Sequence, residues 1–340
     1  MEERVSNDAV GERVDVFVLN ILKETSFKLV TRSFLKKYWD NLVLVNEKAA
    51  KLSLKLKEGD VVYIDISLLE QKIKEDTSGL KIVPQKGDLD IVFENSEILI
   101  LNKVSGVVVH PGAGNSDNTL ANYVVGYLQS KGEYDERVKR GGIVHRLDKG
   151  VSGLILFAKT LESQIYYQKQ FEEHKVVKLY HTRVESKNFP AKLKEKIEKG
   201  VDVSSVIKDL ESKGFIVDDS WEKLEGYVQR NNINRMKMRF TPQKFNNGGK
   251  YALTYVKPIN ENELLIKIET GRMHQIRATL EYLGINIVGD TLYSTKKGKG
   301  GVPDSIELTS VLLSFENMRG ERETFNLYKN AQKTKSKRKI

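Results

Sequence analysis

The sequence predicts an α+β protein with two domains. A chain of 340 residues is longer than most domains built around a single hydrophobic core. Short β-branched and apolar runs, such as residues 154–157, stand between glycines, which is typical of buried strands. One early segment instead carries apolar residues at helical spacing, at Val14, Phe17, Val18, Ile21 and Leu22. Strands and helices are therefore both expected.

A second helix is predicted after this first one, from Thr31 as its N-cap to about Trp39. Residues 42–66 then have the pattern of short strands, with turns at Asn46-Glu47 and at Gly59-Asp60. Basic side chains on this unit are candidate phosphate contacts, the alternative being a solvated helix face. They are Arg13, Lys28, Arg32, Lys36 and Lys37.

Composition sets the domain boundaries. After a flexible N-terminus at residues 1–9, the first domain covers residues 10–68. Residues 69–87 are highly charged, contain Gly and Pro and lack periodicity, so they are interpreted as a linker. The second domain then covers residues 88–328, and residues 329–340 form a basic disordered tail that adds nonspecific RNA affinity.

Inside the second domain, residues 186–226 are interpreted as a surface insertion, because surface loops tolerate such additions. Helical spacing is present within it, at Val203, Val206, Ile207 and Leu210.

Charge and composition restrict the class of function. A net charge of +10 suits a surface that faces RNA, although charge alone is weak evidence. There are no cysteines, and the five histidines lack paired spacing, so no metal or disulfide is expected. Residues 112–115, GAGN, lack the phosphate-binding glycine patterns, and no cofactor is expected. No apolar run approaches the ~18 residues that span a bilayer, so we expect a cytoplasmic protein, taken as a monomer, without a membrane partner.

The most informative segment is residues 141–160, GGIVHRLDKGVSGLILFAKT. Ile143-Val144 and residues 154–157 are predicted strands, and the glycines mark turns between them. The connecting loop then displays His145, Arg146 and Asp148 at a strand end, where reactive groups are commonly found. A lone Asp in such a turn is more often a residue that bonds the backbone.

The segment resembles the central motif of the RluA-type pseudouridine synthases, usually HRLD, a polar pair and SGL. Residues 101–128, 176–184 and 268–293 resemble three further motifs, in the family's order. HPGAGN and GIVHRLDK together are most similar to the RluD branch, whose substrate class is large-subunit ribosomal RNA. Four positions depart from the family pattern: Val104, Gly150, Val151 and Thr279.

The resemblance implies a mixed, mainly antiparallel catalytic sheet of the pseudouridine synthase type. It implies that Asp148 is the nucleophile, attacking either C6 of the base or C1′ of the ribose, with no metal or nucleotide cofactor. Tyr180 maps onto the family's active-site tyrosine, which stacks on uracil and is placed for the final deprotonation. Arg277 is expected to pair with Asp148 and stabilise its charge, with Arg272 as the second choice.

Arg146, His145 and Arg272 are the candidate RNA-binding residues of the second domain. A uridine within folded RNA must be flipped out, and the guanidinium of Arg146 suits stacking in the gap that it leaves. His145 is expected to support the loop by hydrogen bonding rather than to act in acid-base chemistry.

The N-terminal helices and strands are similar to an S4 RNA-binding domain, a small α/β fold, although Glu47 stands where that family usually has glycine. The predicted partner is large-subunit ribosomal RNA or a pre-ribosomal particle. Because several motif positions depart from the family pattern, a noncatalytic RNA-binding or ribosome-assembly factor that retains the fold stays the alternative.

Overall fold

The structure is a computed structural model that describes residues 1–25, 27, 30, 32–78, 82–112, 115–185, 189–244, 248–294 and 305–329. The chain forms two compact units, Met1–Lys81 and Ile82–Ile340. The predictions for Lys28, for the N-cap at Thr31 and for the tail from residue 330 lie outside the described residues. Within the described ranges, no helix is both long and apolar enough to cross a bilayer.

The N-terminal unit packs helices against a small antiparallel sheet. Its described helices are α1 (Val14–Lys23), α2 (Arg32–Tyr38) and α3 (Ile66–Ser78). Its strands are β1 (Glu2–Arg4), β2 (Val43–Val45), β3 (Lys48–Ala49) and β4 (Val61–Ile64), in the order β1-β4-β2-β3. Val14, Val18 and Leu22 are buried in the core of this unit, as the predicted helical stripe requires.

The predicted turn at Asn46-Glu47 joins β2 to β3. Both residues have positive φ, 49° at Asn46 and 61° at Glu47. Two successive residues with positive φ give a two-residue turn whose twist matches that of the paired strands. Glycine and asparagine adopt positive φ at the lowest energetic cost. Glu47 therefore adopts the backbone conformation of a glycine without being one, which agrees with the departure seen in the sequence.

The segment expected to be an irregular linker differs from that expectation. Ile66–Ser78 form α3, and Leu69 is buried in the core of the N-terminal unit. Farther along, Ile82 lies in the core of the second unit, and the side-chain amide of Asn122 donates to the carbonyl of Val83 at 2.7 Å. Residues 69–78 are highly charged, so their sequence shows little apolar periodicity. A helix that buries only a few side chains does not need more.

The second unit is built on one large mixed sheet. Its described strands are β5 (Ile91–Glu94), β6 (Ile98–Lys103), β7 (Ser152–Ala158), β8 (Val177–Arg183), β9 (Glu222–Arg230), β10 (Met238–Thr241), β11 (Lys250–Asn260), β12 (Glu263–Ile268), β13 (Leu308–Glu316) and β14 (Arg322–Asn326). Their order is β10-β9-β11-β12-β8-β13-β7-β6-β5, and β14 pairs with β13. The β7–β13 pair is parallel and the other described pairs are antiparallel. The α+β class and the mainly antiparallel sheet are confirmed.

Helices cover both faces of this sheet. They are α4 (Leu120–Ser130), α5 (Leu161–Glu172), α6 (Ala191–Lys194), α7 (Val203–Ser212) and α8 (Gln275–Tyr282). Along β7, Ile155 and Phe157 enter one core, and Leu154 and Leu156 enter another. Because successive strand residues point to opposite faces, this apolar run is buried on both sides.

The predicted insertion contributes to the core. Val206, Ile207 and Leu210 on α7 are buried against Leu179 and Leu265 of the sheet. The helical spacing seen in the sequence is therefore confirmed as a buried stripe. The last part of the predicted segment, from residue 222 to residue 226, belongs to β9 rather than to an insertion.

Candidate functional site

The HRLD loop, His145–Asp148, lies directly before β7. The predicted strand at Ile143-Val144 is wrong, since the structure gives Ile143 an isolated bridge to Phe157 instead. The cause is Gly142, which has φ of +83° and lies so close to β7 that a Cβ would be 2.0 Å from the Ala158 carbonyl oxygen. The chain therefore approaches β7 closely here but pairs with it only at Ile143.

Asp148 is held near two cation-forming side chains. Its side chain is 28% exposed, and Oδ2 lies 3.5 Å from Nη1 of Arg277 and 3.8 Å from Nε2 of His274. The backbone carbonyl of Asp148 accepts from the N–H of Val151 at 3.0 Å, which closes the loop into a turn. The carboxylate is thus accessible to a substrate and lies beside a positive charge.

Arg277, the third residue of α8, is oriented by a second carboxylate. Its Nε and Nη2 donate to the two oxygens of Asp290 at 2.7 and 2.8 Å, a bidentate pair. Asp290 is 2% exposed and also accepts from the backbone N–H groups of Leu292 and Tyr293. Burial disfavours the charge on Arg277, but the hydrogen bonds and charge of Asp290 outweigh burial and keep its pKa above the ordinary value.

Arg272, the second choice for pairing with Asp148, has a different partner. Its Nε donates to the backbone carbonyl of Tyr251 at 2.7 Å. Its backbone N–H donates to the side-chain oxygen of Gln275 at 3.0 Å. These contacts fix the turn that leads into α8. Of the two arginines, Arg277 has the described contact with Asp148.

Tyr180 lies in the middle of β8 and is 6% exposed. Burial raises the pKa of its hydroxyl, and the negative charge of Asp148 raises it further. The hydroxyl therefore stays protonated near neutral pH. This favours the stacking part of its predicted role, because removing a proton from a substrate needs a deprotonated group.

The two RNA-contact candidates of the motif have different surroundings. Nε2 of His145 accepts from the backbone N–H of Leu156 at 2.9 Å, and its ring stacks on Phe171 with centroids 4.4 Å apart. Burial lowers the pKa of His145 to about 3, so the ring is neutral. Arg146 is exposed. The structure thus anchors His145 to β7 and leaves Arg146 accessible to a partner.

Lys103 was not predicted as part of the site. Its side chain is 2% exposed, and its Nζ donates to the carbonyls of Val104, Val107 and Lys149, at 2.9, 2.8 and 3.0 Å. It thereby ties the residue that follows Asp148 to the end of β6. Burial lowers the pKa of Lys103 to about 8, and the charge of Asp148 opposes that shift. Residue spacing in the sequence does not show that this ammonium is buried or that it donates to three carbonyls.

Tyr293 and His274 complete the described surroundings of Asp148. The Tyr293 hydroxyl lies 3.1 Å from Nδ1 of His274, and the guanidinium of Arg277 lies 4.8 Å from the centre of the Tyr293 ring. Burial lowers the pKa of His274, while Asp148 opposes that shift. The neutral histidine leaves Arg277 as the cation beside the carboxylate. Within the described part of the chain, no three His, Asp or Glu side chains form a metal-binding group.

The basic residues of the N-terminal unit surround a groove. Arg13 and Arg32 both pair with Asp15, which is 1% exposed, at 3.0 and 2.7 Å. Burial acts to raise the pKa of Asp15, but its hydrogen bonds to the two arginines bring it below the ordinary value. Lys36 lines the same groove. Lys37, one position farther round the helix, lies over the Tyr38 ring at 4.7 Å.

The chain is similar in sequence to proteins of a known family. A family model described as RNA pseudouridylate synthase matches residues 97–282. The Yersinia pestis protein named ribosomal large subunit pseudouridine synthase D is 30% identical, over 95% of this chain and 85% of that protein. Its namesake from Escherichia coli (strain K12) is 29% identical, over 85% and 74%. The solved structure of human RNA pseudouridylate synthase domain containing 1 is 19% identical with a TM-score of 0.49, over 71% of this chain and 85% of that one.

Proposed function

The chain belongs to the RNA pseudouridylate synthase family, and we propose that it isomerises specific uridines of large-subunit ribosomal RNA to pseudouridine. Relatives that are 29 and 30% identical over most of the chain are named as ribosomal large subunit enzymes, which supports this substrate class. The net charge of +10 is suited to an RNA partner, free or within a pre-ribosomal particle. The enzyme acts in the cytoplasm as a monomer.

Asp148 is the proposed nucleophile. The observation that carries this assignment is the position of its carboxylate, partly exposed and 3.5 Å from the guanidinium of Arg277. The reaction breaks the bond from uracil N1 to ribose C1′ and forms a bond from C5 to C1′, so it is an isomerisation without net redox change. A carboxylate in a partly dry site can attack either C1′ or C6.

The remaining site residues act around this carboxylate. Arg277, oriented by Asp290, stabilises its charge. Tyr180 stacks on the uracil ring, and Arg146 fills the space left by the flipped base. Lys103 and His145 hold the loop in place, because Lys103 donates to the carbonyl of Lys149 and the ring of His145 accepts from the backbone N–H of Leu156.

The N-terminal unit is proposed to be an S4-type RNA-binding domain. The groove containing Arg13, Arg32 and Lys36 supports this proposal, because basic side chains along a groove suit contacts to phosphates. It supplies affinity for structured RNA and no chemistry.

The proposal is tested by mapping pseudouridines in large-subunit ribosomal RNA from cells with and without the gene. We expect one or more uridines to be modified only in the cells that carry it. Restoring the gene should restore the same sites. Identical maps in the two strains would contradict the proposed substrate.

A further inference from the structure

The connection between β9 and β10 exposes apolar side chains to solvent. Residues 231–237 form this connection, and we call them the hairpin tip. Ile233 is 98% exposed and Met236 is 70% exposed. Single exposed apolar side chains are common on protein surfaces. Here two of them lie within four residues at the end of a hairpin. Together they form an apolar surface that is exposed to solvent.

The tip is ordered by its own hydrogen bonds. The side-chain oxygen of Asn231 accepts from the backbone N–H groups of Ile233 and Asn234, at 2.9 and 3.1 Å. The side-chain oxygen of Asn234 accepts from the N–H of Met236 at 3.1 Å. Nη1 of Arg230 donates to the carbonyl of Arg235 at 2.7 Å. The exposed side chains are therefore presented from a defined turn, so little backbone freedom is lost when a partner binds.

Charge around the tip favours a polyanion. The sequence contains no Asp or Glu between Glu225 and Glu261. Basic residues precede, separate and follow the two exposed apolar residues, at Arg230, Arg235 and Arg239, while Lys237 pairs with Glu281. A protein partner with an apolar pocket has no need of this charge. Nucleic acid needs both features, because its phosphates bind cations and its bases stack against apolar or planar groups.

The base of the tip is connected to the surroundings of Asp148. The backbone N–H of Met238, the first residue of β10, donates to the Tyr293 hydroxyl at 2.7 Å. Nζ of Lys237 lies 5.1 Å from the centre of the Tyr293 ring and 2.8 Å from the carboxylate of Glu281 on α8. Tyr293 in turn contacts His274 and Arg277. The base of the hairpin therefore contacts Tyr293, whose own partners His274 and Arg277 lie beside Asp148.

We propose that Ile233 and Met236 contact bases of the substrate RNA beside the target uridine, while the neighbouring basic side chains bind its phosphates. This inference rests on the proposed function and adds a second RNA contact to it. The hairpin tip would hold the neighbouring bases apart or cap their stack, so that the uridine stays available to be flipped.

The test uses the full chain and large-subunit ribosomal RNA purified from cells that lack the gene. Replacing both side chains, Ile233→Ser with Met236→Ser, should weaken binding about tenfold, the scale of one lost base contact. The dependence of affinity on salt should stay unchanged, because the phosphate contacts remain. Replacing the cations, Arg235→Gln with Arg239→Gln, should instead flatten the salt dependence. Thermal unfolding should be unaltered in all of them, because the replaced side chains belong to no buried core.

Ile216→Ser is the matched control. Ile216 is 72% exposed and lies in the segment between α7 and β9, away from this turn in the chain. It should bind RNA as the wild type does. Wild-type affinity of the double serine variant for the purified RNA would overturn the inference. So would a loss that occurs only on particles carrying ribosomal proteins, since that would make the partner a protein. If the wild type forms no pseudouridine in this RNA, the proposed function fails instead.

Discussion

Arg277 has two carboxylate partners, and the structure ranks them by distance. Both oxygens of Asp290 lie within 2.8 Å of its guanidinium, whereas Asp148 is 3.5 Å away. Asp290 therefore fixes the position of the guanidinium, and Asp148 lies within its field. A nucleophile benefits from a nearby positive charge, but a tight ion pair would hold it back from the substrate.

Arg277→Met should lower the single-turnover rate by about 10²- to 10³-fold, the usual scale for losing one preorganised electrostatic contact. The carboxylate of Asp148 loses the guanidinium that lies 3.5 Å from it. Arg277→Lys keeps the charge without the planar fork and should fall between wild type and Arg277→Met.

Arg272→Met is the control for this series, because Arg272 bonds the Tyr251 carbonyl. It should keep a much higher rate than Arg277→Met. The measurement is the single-turnover rate against pH, with unfolding by urea to show that each variant is folded. If Arg277→Met equalled wild type at every pH while Arg272→Met did not, the pairing role would belong to Arg272.

The residues proposed to carry the chemistry were easier to find in the sequence than the residues that orient them. Asp148, Tyr180 and Arg277 fall in motifs with a recognisable residue order, and the structure brings Asp148 and Arg277 together. Lys103 donates to the carbonyl of Lys149, and Asp290 accepts from the guanidinium of Arg277. In each pair the two residues are distant in the sequence. No spacing rule in one sequence reveals such contacts, because they depend on how the strands are arranged in space.

Elements with strong periodicity were predicted well from the sequence. The stripes on α1 and α7 are buried as expected, since one apolar face is enough to dock a helix. The segment over residues 69–78 was misjudged because α3 is mostly charged. Ile143-Val144 has strand-like composition, yet the two glycines before it have positive φ and Ile143 makes only an isolated bridge to β7. Backbone conformation at glycine outweighs β propensity at that position.

At the scale of the whole molecule, the sequence predicted a first domain at residues 10–68 after a flexible N-terminus, whereas the N-terminal unit of the structure begins at Met1, and Glu2–Arg4 pair with β4. The division lies between Lys81 and Ile82, in the part of the chain that was expected to be a linker. The order of strands in the large sheet could not be predicted from the sequence. For example, β7 and β13 pair in parallel although about 150 residues separate them in the chain. Sequence alone carries little signal for such long-range pairing.

Deleting residues 1–81 should leave a folded catalytic unit that binds ribosomal RNA more weakly. Its affinity should also depend less steeply on salt, because the phosphate contacts proposed for Arg13, Arg32 and Lys36 would be lost and fewer counterions would be released. The measurement is the dissociation constant at several salt concentrations for the full chain and the truncated form. An unchanged affinity and salt slope would remove the RNA-binding role proposed for the N-terminal unit.

The central claim is that Asp148 is the nucleophile of an RNA uridine isomerase. The most direct measurement is pseudouridine formation in a single turnover by purified Asp148→Asn, on ribosomal RNA from cells that lack the gene. The amide keeps the shape of the side chain but is not a nucleophile. We expect no product from the variant, binding of RNA within a few-fold of wild type, and product from the wild type. Turnover by Asp148→Asn at the wild-type rate would contradict the account.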